Sequence, residues 1–146
     1  MIFLDTSVLI ATAQVSHERH RASRELWDRC AGQPAAVGTH TIAELFNTLT
    51  SMPPPLRLAP RDAVLAVETF LLRLTPVTLT SEEYMDTLRR TANLGHSGGI
   101  IYDALLLACA RKVQAERIYT WNVRNFQMAA PDLAVRIVTP SAIDCE

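Results

Sequence analysis

Lysine is nearly missing from this chain. Lys112 is the single lysine among 14 basic residues, so positive charge comes from arginine. The rigid guanidinium fork suits phosphate oxygens, but a GC-rich coding sequence gives the same bias, and composition alone lends phosphate binding no support. Cysteine is scarce as well. Cys30, Cys109 and Cys145 are odd in number and widely spaced. They exclude a disulfide framework and a zinc site of regular spacing, and they fit a reducing cytoplasm. No apolar run reaches the ~18 residues that span a membrane. The N-terminus lacks a basic region ahead of an apolar stretch, so no signal peptide is expected. No repeat, low-complexity tract or linker breaks the 146 residues, a length that suits one domain, 1–146. The formal net charge of −1 excludes a whole-protein electrostatic hold on nucleic acid and leaves room for a local basic patch.

Apolar residues, by contrast, are plentiful at 49%, enough for a real core. Residues 2–5 read as a short buried strand. Helices are expected over Val8 to Gln14 and Glu18 to Arg29, the second turning Ala22, Leu26 and Trp27 inward. After the turn Gly32-Gln33-Pro34, Ala35 to Thr39 reads as a strand. Ile42, Leu45, Phe46 and Leu49 then follow the spacing of a helical stripe over Thr41 to Thr50. The prolines after Met52 end that helix, and Pro60 suits the first position of the next, before Arg61 to Leu74. Pro76 to Leu79 is a brief strand. Thr80 with Glu83 forms a capping-box pattern that opens a helix to about Asn93, and Gly95 stops it. Ile100 to Gln114 is the most apolar helix. Arg117 to Trp121 and Val135 to Thr139 are the last strands. Strands alternating with helices along the chain predict an α/β fold, a three-layer α/β/α sandwich with a mostly parallel central sheet. Sites in such folds lie beyond the carboxyl ends of the strands.

Three acids stand out against this pattern. Asp5 ends the first strand, MIFLD, where a carboxylate is costly without a positive partner. Asp103 sits near the start of the apolar helix GIIYDALLLACA. Helix capping, or a single ion pair at the helix N-terminus, is an alternative there. Glu44 lies on the third helix, off the apolar stripe. Thr41 and Glu44 also make a capping-box pattern, and taken alone that structural role suits Glu44 better. All three fall where a strand ends or a helix begins, and an α/β sandwich gathers those ends on one rim. Three carboxylates crowd together only if something compensates their charge. A hard divalent cation does so with oxygen ligands, and it usually keeps several waters and needs one or two direct carboxylates. A fourth segment, TWNVRNF, leaves a strand at the same rim with Thr120, Asn122, Arg124 and Asn125. It reads equally as an Asn-rich turn closed by Phe126.

The four segments MIFLDTSVLI, TIAELFNTL, GIIYDALLLACA and TWNVRNF, in that order, resemble the PIN domain, and more closely the VapC toxins of prokaryotic toxin–antitoxin pairs. The resemblance covers essentially the whole chain. It implies an endoribonuclease that uses Mg²⁺ or Mn²⁺, with Asp5, Glu44 and Asp103 as metal-binding acids. The family's fourth position, commonly an acid, falls at Asn122, and Asn125 lies where relatives often carry His or Asp. Thr6 and Ser7 match the small hydroxyl positions after the first acid, and Thr120 the hydroxyl before the fourth position. Hydrolysis of an RNA phosphodiester is the implied reaction. Asp5, Glu44, Asp103 and Asn122 would form the catalytic set, with Thr6, Ser7, Thr120, Arg124 and Asn125 at the substrate.

The resemblance further implies a homodimer and a small VapB-like antitoxin that blocks the site and supplies any DNA contact. The apolar stretch Met52 to Leu58 reads as a contact surface or as a plain inter-helix loop. Arg19, Arg21 and Arg24 form a basic helical face, usually only solvated. The histidines His17, His20 and His40 read as helix-end or surface residues, and His96 as a loop residue without a catalytic role. A dehalogenase-type phosphatase fails because Ser7 stands where its second Asp belongs, and a phospho-receiver fails for want of paired acids and a suitable lysine. A non-catalytic PIN-like binding module and a PIN nuclease of RNA maturation are the competing readings.

Overall fold

The computed structural model describes residues 1–141, and Cys145 lies outside them. Five strands form the sheet: β1 (Ile2–Leu4), β2 (Ala35–Gly38), β3 (Thr75–Val77), β4 (Arg117–Tyr119) and β5 (Ile137–Val138). Their order is β3-β2-β1-β4-β5, and every pairing is parallel. The helices are α1 (Thr6–Ala13), α2 (His20–Arg29), α3 (Thr39–Ser51), α4 (Pro60–Leu71), α5 (Ser81–Asn93), α6 (Ile100–Lys112) and α7 (Val123–Ala129), followed by a 3-10 segment over Pro131–Arg136.

Strands β1 and β2 are short and buried on both faces, so their positions are apolar or glycine and alternation sends neighbours to opposite layers. Ile2, Leu4, Ala35 and Val37 meet Leu9, Leu26, Trp27, Leu45 and Phe70 on the α1–α4 side. Phe3, Ala36, Ile118 and Ile137 meet Leu106, Leu107, Ala110 and Phe126 on the α6–α7 side. Helix α5 packs against α6. This is the expected three-layer sandwich, with a sheet that is parallel throughout. Cys30 and Cys109 are free thiols. Among the described residues, no helix is long and apolar enough to cross a membrane.

Several local expectations change. Helix α1 begins at Thr6, so Thr6 and Ser7 lie inside its first turn rather than before it. Helix α2 begins only at His20. Helix α3 begins at Thr39, which puts Thr41 inside the helix, 1% exposed. The Thr41–Glu44 capping box is therefore not formed, because Thr41 is no longer the residue that flanks the helix. The ridge facing the core is Thr41, Leu45 and Leu49, and this rotation leaves Phe46 38% exposed instead of inward. The Thr80–Glu83 capping box is formed in both directions. Strand β3 starts at Thr75 and includes Pro76, tolerated because β3 is an edge strand and the missing N–H costs no ladder bond. The segment read as an Asn-rich turn is the start of α7, held by Phe126, which is 0% exposed.

Two substitutions test this packing. Phe126→Ala should cost about 3–5 kcal/mol, and Thr80→Ala about 1 kcal/mol through the lost cap. Urea unfolding midpoints at constant slope check both. Equal, small losses would mean that α7 is not anchored by Phe126.

Candidate active site

The chain runs outward from β1 to β2 and β3, then returns to lay β4 and β5 on the other side of β1. The carboxyl ends of β1 and β4 thus flank the point where the strand order reverses, the place where open α/β sheets leave a crevice. Asp5 leaves β1 there, its backbone N–H donating to the Tyr119 carbonyl at 3.0 Å. Thr120 leaves β4 beside it, donating from its N–H to the Val138 carbonyl at 3.1 Å.

Asp5 is 5% exposed, and hydroxyls hold its carboxylate. Ser7 Oγ donates to Oδ2 at 2.6 Å and Thr120 Oγ1 donates to the same oxygen at 2.7 Å. Each hydroxyl is aimed by a backbone donor of the fourth segment: Trp121 N–H donates to Ser7 Oγ at 3.0 Å, and Asn122 N–H to Thr120 Oγ1 at 2.9 Å. Because a hydroxyl that accepts from an amide is free to send its own proton to the acid, the arrangement ties the end of β4 to the end of β1. Thr6 repeats this logic toward α3. Its hydroxyl donates to Glu44 Oε2 in a short bond and lies 3.2 Å from Thr41 Oγ1. Asn122 Nδ2 reaches Asp103 Oδ2 only at the weak distance of 3.5 Å.

Asp5, Glu44, Asp103 and Asn122 line one open cleft of about 340 Å³, with Thr6, Ser7, Asn47 and Thr48. Among the described residues, no basic side chain lines it. His40 Nε2 stands 3.5 Å from Glu44 Oε1. Burial, followed by the charges of Asp5 and Glu44, pushes the Asp103 carboxyl up to about 6. Burial raises Asp5 too, against the lowering bonds from Ser7 and Thr120, and Glu44 adds to the rise. Asp103 makes no ion pair among the described residues, and the residue flanking its helix is Gly99, so neither structural alternative for this acid is what the fold contains.

The donors are carboxylate, hydroxyl and amide oxygens, the set a hard divalent ion prefers. Among the described residues no group of three or more His, Cys, Asp or Glu side chains is drawn together tightly enough to hold an ion. An open cleft of uncompensated acids still fits Mg²⁺ or Mn²⁺, which keep most of their waters and take only one or two direct carboxylates.

The residues expected at the substrate divide. Thr6, Ser7 and Thr120 direct their hydroxyls at the acids, and Thr120 is 0% exposed. Arg124 and Asn125 are exposed on α7. Arg21 and Arg24 are engaged with Glu25 and Asp28, and Arg19 lies 3.5 Å from Glu18 and over the Trp121 ring, 4.9 Å from its centroid. Beside these residues the fold sets His40, Tyr102 and Trp121, to which the sequence assigned no part in the site. His40 stands four residues before Glu44 and Tyr102 directly before Asp103, and these adjacencies were the only available signals.

The PIN domain family matches residues 2–130 of the chain. Ribonuclease VapC27 of Mycobacterium tuberculosis is 37% identical over 114 residues, 77% of this chain and 79% of that protein. Ribonuclease VapC40 of the same organism is 33% identical over 119 residues, 80% and 83% of the two chains. Among solved structures, VapC20 of Mycobacterium tuberculosis, described as a sarcin–ricin loop cleaving toxin, has a TM-score of 0.70 at 17% identity, covering 86% of this chain and 92% of its own. VapBC2 of Rickettsia felis, bound to a DNA fragment from its promoter, has a TM-score of 0.67 at 16% identity, covering 95% and 98%. At such identities the structural likeness is one of fold.

The raised Asp103 value has a consequence for stability. Folding lifts this acid from its ordinary value of 3.8 to about 6, so between these pH values the folded protein holds more protons than the unfolded chain. Metal-free protein should gain stability from this group as pH falls from about 6 toward 4. Urea midpoints of the wild type and Asp103→Asn across that range check it. The difference between the two should narrow on acidification, with the variant the more stable at pH 7.

Proposed function

The chain belongs to the PIN domain family, and on that footing we propose that it is a Mg²⁺- or Mn²⁺-dependent endoribonuclease, a single nuclease domain over residues 1–146. One observation carries the reading: acids from three distant segments, Asp5, Glu44 and Asp103, line one cleft at the sheet's switch point with no basic side chain among the described residues that line it. Curated relatives above 30% identity that carry the name ribonuclease support it.

Asp5 and Asp103 would hold the ion, with Glu44 reaching it through water or a second ion. The ion supplies positive charge against the phosphate and acidifies a nucleophilic water. Ser7 and Thr120 fix the Asp5 carboxylate in its orientation, and Thr6 does the same for Glu44. Asn122 presents an amide at the fourth position without adding to the negative charge. Arg124 and Asn125, exposed on α7, would meet RNA phosphates. The protein acts in the cytoplasm as the toxin of a toxin–antitoxin pair. Its partners are a second copy of itself and a small antitoxin that covers the cleft and carries the DNA-binding part.

Purified protein should cleave RNA when Mg²⁺ or Mn²⁺ is added and stop when EDTA is present. Asp5→Asn and Asp103→Asn should each lower cleavage by more than about a hundredfold while circular dichroism shows an intact fold. A folded wild type that leaves varied structured RNAs uncut with both ions would favour a binding module over a nuclease.

A further inference from the structure

The nuclease reading leaves one feature of the cleft's mouth without a task. His40, in the first turn of α3, and Tyr102, in the first turn of α6, stack on each other with ring centroids 5.4 Å apart and planes 5° from parallel. The His40 ring adjoins an acid of the cleft. His40 Nε2 is 3.5 Å from Glu44 Oε1, and Tyr102 directly precedes Asp103. The helix that carries Tyr102 otherwise turns its apolar side chains inward, with Leu105, Leu106 and Leu107 all buried, yet Tyr102 is 52% exposed. His40 covers one face of the Tyr102 ring, and the exposed remainder is open to stacking by a second ring. The ring also loses little freedom when another ring is laid on it. Leu106 lines both the acidic cleft and a recess of about 240 Å³ that His40 lines, so the two adjoin.

We propose that the His40–Tyr102 pair is a stacking platform for one unpaired nucleobase of the RNA, seating it so that the neighbouring phosphate lies over Asp5, Glu44 and Asp103. The inference rests on the ribonuclease reading and adds to it the residues that place the strand. Aromatic and histidine rings take RNA bases in this way, and only bases free of a duplex stack present a face to them. Arg124 and Asn125 would then hold the backbone, while the platform sets which phosphate is presented.

The test uses Tyr102, because His40 also touches Glu44. Cleavage of a single-stranded oligoribonucleotide is compared for the wild type, Tyr102→Phe, Tyr102→Leu and Tyr102→Ala. Loss of base stacking should weaken the Leu and Ala variants about 5- to 150-fold, read mainly in KM, while Phe stays close to wild type. Leucine keeps the apolar contact with His40, so a merely structural pair would tolerate it. In a parallel measurement, the same RNA carrying 2-aminopurine binds to the Asp103→Asn protein with and without Tyr102→Leu. Quenching that depends on Tyr102 supports the platform even if no RNA is cut, which would sink the nuclease reading alone. Active Tyr102→Leu protein with unchanged KM, or quenching indifferent to Tyr102, overturns the platform and leaves the nuclease reading standing.

Discussion

The carboxylate of Asp5 sits at the end of a strand buried on both faces, and the hydroxyls of Ser7 and Thr120 donate to one of its oxygens at 2.6 and 2.7 Å. Burying an anion is unfavourable, and this one faces two more acids across a cleft that, among the described residues, no basic side chain lines. Hydrogen bonds from neutral donors are the means by which the fold retains it without cancelling its charge. A salt bridge would have held Asp5 more simply and would also have filled the place a cation could take. Those bonds recruit the backbone of Trp121 and Asn122, and so fix the start of α7 relative to β1. The cost surfaces at Asp103, whose carboxyl is pushed up to about 6 by burial and by Asp5 and Glu44.

Sheet order explains why these acids meet. Asp5 and the fourth segment are adjacent because β4 pairs with β1 although more than a hundred residues separate them in sequence. Glu44 arrives from α3 after β2, the strand on the other side of β1, and Asp103 from α6, which packs across Gly38 at the end of β2. Gly38 leaves room for that approach: a Cβ there would lie 2.7 Å from Leu106 Cδ2. Asp103 stands in the first turn of α6, Glu44 one turn further along α3, and Asp5 at the junction of β1 and α1, so each is held on or directly beside a rigid element. Such positions define a geometry more sharply than loops do, and the short bond from Thr6 to Glu44 joins two of the elements directly.

Positive charge is arranged around the cleft rather than in it. Arginines of α2 are taken up in pairs with Glu25 and Asp28, which removes most of the basic face that α2 suggests in sequence. Arg19 over Trp121 and the exposed Arg124 remain near the fourth segment. With a net charge of −1, a polyanion gains little from long-range attraction, so on the proposed reading contacts close to the acids would place the strand. Stacking on His40 and Tyr102 would suit that need because it does not depend on charge.

The layered fold and a mostly parallel sheet were legible in the sequence, and so were Asp5 and Asp103 as carboxylates out of place in apolar segments. Short apolar strands alternate with helices at a spacing that only a few architectures satisfy, and a lone carboxylate in an apolar segment stands out against such a pattern. The capping pattern of Thr80 with Glu83 was legible for the same reason, since it depends on residues three apart. The identical pattern at Thr41 and Glu44 misled, because α3 begins earlier and Thr41 is drawn into the interior beside Thr6, a contact across 35 residues. Helix α7 was hidden because its one anchor, Phe126, reveals itself only against the α6 side of the sheet. Whether Glu44 faced water or the cleft, which hydroxyls orient Asp5, and that His40 stacks on Tyr102 were decided by tertiary structure. Each depends on how two helices from different crossovers are set against the same sheet edge, and nothing local in the chain encodes that angle.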